Sequence, residues 1–205
     1  SADRLLKVMA SALAMGESNA CMKRIVAAPT AGACGVLPAV LVNYQKEKGT
    51  ADEQIVRALY TAAGIGQVVA ARAYIAGASG GCQAEIGTAS AMAAGALTAL
   101  GGGTPSQITH AAAMALKNLL GLVCDPVGGL VEVPCVKRNV IGSVNALSAA
   151  DMALAGIISR IPPDQVIDAM REVGDQMHPS LRETGQGGLA NTPAAREWCA
   201  AQEEE

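Results

Sequence analysis

Apolar residues near the start of the chain, Leu5, Leu6, Met9 and Leu13, recur at intervals of three and four. That rhythm places them on one face of an amphipathic helix from about residue 3 into 19–22, with Asp3 as its cap. A stretch without bulky side chains follows, Ala27-Ala28-Pro29-Thr30-Ala31-Gly32-Ala33-Cys34-Gly35, and the apolar run at 36–44 predicts a helix starting where it ends. Thr50-Ala51-Asp52-Glu53 has the Thr-x-x-Glu form of a capping box. A helix is therefore expected to open there, carry Ile55, Leu59 and Val68, and end at the small residues of 77–81. Residues 84–100 predict an Ala-rich helix stopped by Gly101-Gly102-Gly103, and Thr104-Pro105 supplies an N-cap and a first-turn proline for a helix to about Leu120.

Beyond it, Val123-Cys124-Asp125-Pro126-Val127-Gly128-Gly129 reads as a loop carrying a thiol, and Val131-Glu132-Val133-Pro134-Cys135 as a short segment open to an extended conformation. A helix is expected over 137–159, and Pro162-Pro163-Asp164 opens another over 163–174. The tail from Met177 holds His178-Pro179-Ser180 and Thr184-Gly185-Gln186-Gly187-Gly188, and is assigned no element. No stretch alternates with period 2, no internal repeat is seen, and no linker divides the chain. The pattern predicts one all-α domain over residues 1–205, a helical bundle with Gly- and Cys-rich loops at its helix junctions.

Composition sharpens this. The 205 residues are 51% hydrophobic but only 2% aromatic, without Phe, so the core must be built from Ala, Val, Ile, Leu and Met on closely approaching helices. Small residues also mark membrane bundles. The longest apolar run, 58–78, contains Tyr60, Gln67, Arg72 and Tyr74, whereas a span needs about 20 predominantly apolar residues. A buried helix of a soluble protein is the better reading. A net charge of -3 provides no basic field for nucleic acid. With 16% charged residues, such a helical subunit is expected to bury a face in a homo-oligomer.

Six cysteines, at 21, 34, 82, 124, 135 and 199, form no close C-x-x-C pair and follow no signal peptide. They read as reduced thiols of a cytoplasmic protein. Cys82, Cys124 and Cys135 lie on Gly- or Pro-flanked segments, and the Gly-Gly of Ser79-Gly80-Gly81-Cys82-Gln83 looks like a hinge that can deliver a sulfur. Their separations of 42 and 11 residues match neither ferredoxin nor zinc-ribbon spacing, so spacing alone names no metal. Cys21 and Cys199 read as packing residues, and Cys34 sits between loop and helix start. His110 reads as structural.

Three motifs, taken together and in order, resemble a known family: Ala28-Pro29-Thr30-Ala31-Gly32-Ala33-Cys34-Gly35; Ala78-Ser79-Gly80-Gly81-Cys82-Gln83-Ala84-Glu85-Ile86-Gly87; and Cys124-Asp125-Pro126-Val127-Gly128-Gly129 through Val133-Pro134-Cys135. Lys137-Arg138-Asn139 and Thr184-Gly185-Gln186-Gly187-Gly188 also fit. The family is the iron–sulfur-dependent bacterial L-serine dehydratase, in its catalytic α portion. The resemblance implies a [4Fe–4S] cluster held by Cys82, Cys124 and Cys135, with its fourth iron open to L-serine as a Lewis acid on the hydroxyl. A positioned base would take the α-proton, and the aminoacrylate formed would yield pyruvate and ammonia. It implies carboxylate binding by Thr30, Ala31 and Gly32, and a β domain or β subunit as partner, so the chain is expected to be a fragment or one subunit. Cys199 is a candidate to reach back and cap the open iron at rest.

For the base, the residues offer Lys137, two positions after a proposed ligand, and His178; an exposed Lys next to an Arg is more often a solvated pair, and a lone His is usually structural. Ser143 is a candidate substrate contact or a packing hydroxyl. A related cysteine desulfidase, and a non-catalytic helical module with a four-ligand zinc site, stay open. Pyridoxal phosphate chemistry is disfavoured, since no Lys sits in a recognisable Schiff-base loop.

Overall fold

Side-chain size along one helix sets the architecture. The computed structural model describes residues 2–203, and among them nine α-helices and no strand are formed. They are α1 (Ala2–Ala20), α2 (Val36–Lys48), α3 (Asp52–Arg72), α4 (Gly77–Gly80), α5 (Thr88–Leu100), α6 (Pro105–Lys117), α7 (Cys135–Leu154), α8 (Pro163–Gln176) and α9 (Pro193–Glu203). Every residue of α5 from Thr88 to Thr98 is buried, and α2, α3, α6 and α7 pack around it. Helices this close leave no room for rings. A Cβ on Gly95 of α5 would collide with Ile65, and one on Gly142 of α7 would stand 2.9 Å from Ile86 and 3.0 Å from Val36. The absence of Phe is the composition such spacing requires.

Polar groups inside this core are paired. Ser90 donates to the Gly142 carbonyl at 2.8 Å, and Asn145 donates to Ser90 and to the Ala115 carbonyl, tying α5, α6 and α7. The Thr104 cap forms as expected: the Gln107 amide donates to Oγ1 of Thr104, and Gln107 Oε1 accepts from the Thr104 amide at 2.9 Å.

Several boundaries differ from the sequence reading, each for a local reason. Asp3 lies within the first turn of α1, bonded to Lys7, and is not its cap. The expected capping box at Thr50 does not form, because Gln45 donates to the Thr50 carbonyl and to Asp52, and α3 starts from Ala51 without a side-chain cap. That helix stops at Arg72, where the guanidinium makes a bidentate pair with Asp168 of α8; 77–80 is a separate turn. Only Ala58, Ala62 and Val69 of α3 are buried and Tyr60 is 76% exposed, so α3 is a surface helix. Residues 131–134 bend and turn, α6 stops at Lys117, and α7 runs from Cys135 only to Leu154, ended by the left-handed Gly156 (φ 87). The tail contains α9, which its weak apolar pattern concealed. No described helix is long and apolar enough to cross a membrane.

Replacing Gly142 by Val should overpack the α5–α7 crossing and lower unfolding free energy by about 1–3 kcal/mol, read from urea midpoints at unchanged m-value.

Candidate active site

Each of the three loop-region cysteines is placed by a polar residue close behind it in sequence. Gly81 precedes Cys82 with φ 78, a conformation L side chains rarely adopt, and a Cβ there would stand 2.6 Å from Met177. The wholly buried Gln83 then secures the turn: its side-chain amide donates to the Gly80 and Met170 carbonyls, its Oε1 accepts from the Gly121 amide, and its own N–H donates to the Leu122 carbonyl. The Gly-Gly segment is thus a fixed turn, not a hinge. A π-helical turn, Gln83–Gly87, follows it into α5.

Cys124 is held by the tail. Its amide donates to the Leu181 carbonyl at 2.8 Å, and the Glu183 amide donates to the Cys124 carbonyl at 2.7 Å, a short parallel pairing that leaves Glu183 at φ 63. Asp125 accepts from the Leu189 amide and from the Arg138 guanidinium, each at 2.8 Å, while Arg138 also donates to the Val123 carbonyl. Cys135 is the first residue of α7, so helix geometry, not a loop, directs it. One turn on, the buried Asn139 accepts from the Gly35 amide and donates to the Gly32 and Cys135 carbonyls, locking the Thr30 loop onto α7.

The three thiols converge electrostatically. Burial pushes Cys82 up to about 12 and Cys135 up to about 11, while the Arg138 guanidinium pulls both down. Cys124 is raised by burial first, then by the neighbouring Cys82. Glu85, within the π-turn, was not singled out in the sequence; the signal was there, as a lone carboxylate three residues after Cys82 in an otherwise uncharged segment. It accepts from the Thr30 hydroxyl at 2.7 Å, and burial raises its carboxyl above the usual range, with Thr30 opposing and the Glu183 charge adding. Among the described residues, no three His, Cys, Asp or Glu side chains stand close enough to hold a single metal ion. The four-ligand zinc site considered above finds no matching group there.

Thr30, Ala31 and Gly32 lie against this centre: a Cβ on Gly32 would stand 3.2 Å from the Glu85 carboxylate. Ser143 is two turns along α7, fully buried, donating to the Asn139 carbonyl. Lys137 is exposed, and Arg138 instead faces the thiols. His178 is exposed, its Nδ1 accepting from the Ser180 amide at 3.2 Å. Cys34 is fully buried, with its thiol near the Met15 carbonyl and its pKa raised by burial. Cys21, expected to pack, is exposed. Cys199 projects from α9 toward Gly128, in an open cleft of ≈ 490 Å³ that Glu183, Thr184 and Arg196 also line. His110 lies part-buried on α6, its Nδ1 without a partner.

Residues 2–190 match the family model described as "Serine dehydratase alpha chain". The chain belongs to that family. It is 58% identical over 94% of its length to the "Probable L-serine dehydratase, alpha chain" of Bacillus subtilis (strain 168) and spans 64% of that relative. It is 56% identical over 93% of its length to the protein of the same name from Latilactobacillus sakei, covering 91% of it. It is 48% identical to "L-serine dehydratase TdcG" of Escherichia coli (strain K12), of which it covers 40%. This family member thus corresponds to part of the longer relatives, and the match contains all three converging cysteines.

The side chains of Arg138 and Asp125 are 14% and 4% exposed, so removing one leaves the other charge unpaired in the interior. Arg138→Ala should cost about 3–5 kcal/mol in chemical unfolding. Arg138→Ala combined with Asp125→Ala should lose less than the sum of the two.

Proposed function

We propose that this chain is the cluster-bearing part of an iron–sulfur lyase that converts L-serine to pyruvate and ammonia, completed by a β domain or β subunit. The observation that carries the reading is the convergence of Cys82, Cys124 and Cys135 from three separate segments beside the Thr30 loop, in a chain whose relatives are named L-serine dehydratase. In a [4Fe–4S] cluster each thiolate binds a different iron, so the ligands stand further apart than around one ion. Three neighbouring thiols that do not close on a single point suit that arrangement. When bound, the cluster would supply a Lewis acid for the departing hydroxyl.

The chain's own residues do the rest of what it can offer. Cys82, Cys124 and Cys135 would hold the cluster, and Arg138 eases deprotonation of Cys82 and Cys135 by its charge. The Ala31 and Gly32 amides have no backbone acceptor among the described residues and are free for a substrate carboxylate, with the Thr30 hydroxyl beside them. Ser143 would act from behind, by fixing the backbone at Asn139. Lys137 and His178 are the chain's own candidates for taking the α-proton. Both are exposed and His178 Nδ1 is already accepting a hydrogen bond, so a base brought by the β polypeptide is favoured. Six free thiols fit a reducing compartment such as the cytoplasm, and a homo-oligomer is in keeping with the apolar outer face of α3.

Anaerobic loading of the chain with iron and sulfide, together with its β polypeptide, should give pyruvate from L-serine, and Cys82→Ala, Cys124→Ala or Cys135→Ala should abolish it. Sulfide release from L-cysteine with no turnover of L-serine would overturn this in favour of a desulfidase. Unchanged serine turnover in the three variants would remove the cluster assignment.

A further inference from the structure

Glu85 has no role in the reading above, yet it stands against both the Cys124 thiol and the Thr30 loop. The ideal Cβ position on Gly77 lies 2.7 Å from the Cys124 sulfur and 3.0 Å from Glu85 Oε2, so that sulfur and that oxygen are within 5.7 Å of one another, the two contacts end to end. On the other side, Gly32 leaves its own Cβ position open 3.2 Å from the same oxygen. Two glycines therefore flank Oε2 where any side chain would crowd it, while Oε1 is fixed by the Thr30 hydroxyl at 2.7 Å. No Lys, Arg or His pairs with Glu85 among the described residues, nor with Glu183, whose charge acts on it. A half-buried carboxylate held by the Thr30 hydroxyl and the Gly77 backbone, with no cation beside it, is an arrangement completed by a ligand's positive charge.

We propose that Glu85 is the seat of the substrate's α-ammonium group. This deepens the reading of the site as an L-serine lyase and rests on it. Serine has three polar groups on adjacent carbons, and the site has three separate complements: the thiol-held centre for the hydroxyl, the Ala31 and Gly32 amides for the carboxylate, and Glu85 between them for the ammonium. Three-point binding of this kind fixes which face of the α-carbon meets the base and excludes hydroxy acids lacking nitrogen. Thr30 is a positioning residue in this scheme, since its hydroxyl holds Oε1 and turns Oε2 toward the ligand. No bond is made or broken by Glu85.

The test uses the loaded, fully assembled enzyme and compares L-serine with 3-hydroxypropionate, which keeps the hydroxyl and carboxylate and lacks the ammonium. Binding is read from the ligand-induced change in the cluster's visible absorption as well as from KM and inhibition. The wild type should bind L-serine far more tightly than 3-hydroxypropionate. Glu85→Gln, which retains an acceptor for Thr30, should weaken L-serine by roughly 30-fold or more, as loss of one partner of a desolvated charge pair does. The same variant should leave 3-hydroxypropionate unchanged or tighter. Glu85→Asp, which keeps the charge but withdraws it, should fall between.

A wild type that binds both compounds equally would overturn the assignment without recourse to any variant. So would a Glu85→Gln enzyme with an intact cluster spectrum and an unchanged preference. A fall in kcat with KM unchanged would also overturn it and make Glu85 a proton-transfer group. Loaded enzyme that neither binds nor turns over L-serine would sink the lyase reading itself, a failure distinguishable from the others because it needs no substitution at Glu85.

Discussion

The site depends on two consecutive side chains at the start of α7. Arg138 reaches one way, to Asp125 and the Val123 carbonyl, and fastens the Cys124 loop; Asn139 reaches the other, to Gly32 and Gly35, and fastens the Thr30 loop. Asp125 extends the clamp to the tail through the Leu189 amide. A buried ion pair gains little net stability when set against apolar packing, because desolvating both partners costs several kcal/mol. Its value here is directional, since one guanidinium fork and one amide fix three irregular segments whose backbones would otherwise have no common reference. With Gln83 performing the same task at the Cys82 turn, satisfied polar groups orient the segments that carry the three sulfurs, while Cys82 and Cys124 also pack into the apolar core.

That arrangement has an electrostatic consequence. Without a metal, burial favours the neutral thiols, and the carboxyls of Glu85 and Glu183 oppose further negative charge. Arg138 is the cation that offsets this for Cys82 and Cys135. A cationic centre bound by the thiolates would reverse the balance, so deprotonation and metal capture are coupled. The helical shell supplies the dry surroundings: α5 is buried along nearly its whole length, and the π-turn that leads into it sets Glu85 and Ile86 on opposite duties, one toward the thiols and one into the core.

The all-α class was readable because helix periodicity, the Thr104-Pro105 cap and the glycine stops are local signals. The capping box at Thr50 misled because Gln45, from the preceding helix, competes for the same groups. The apolar run at 58–78 suggested a buried helix, whereas its outer face, with Leu59, Tyr60 and Val68, is exposed; composition records apolar residues but not which face they meet. Membership of the serine dehydratase alpha-chain family was legible from the three long motifs. The roles of Gln83, Asp125 and Asn139 were not, because each acts on partners tens of residues away. Glu85 was hidden for a related reason: its meaning comes from Thr30, 55 residues earlier, and from the glycines that flank it.

Iron and acid-labile sulfide counted per chain after anaerobic reconstitution bear most directly on the convergence of the three thiols. About four of each, with a broad visible charge-transfer absorption, are expected in the wild type. Both should be lost when Cys82, Cys124 and Cys135 are replaced together by Ala. A single tightly held metal ion without sulfide, or equal iron and sulfide in the triple variant, would contradict a cluster held by these cysteines.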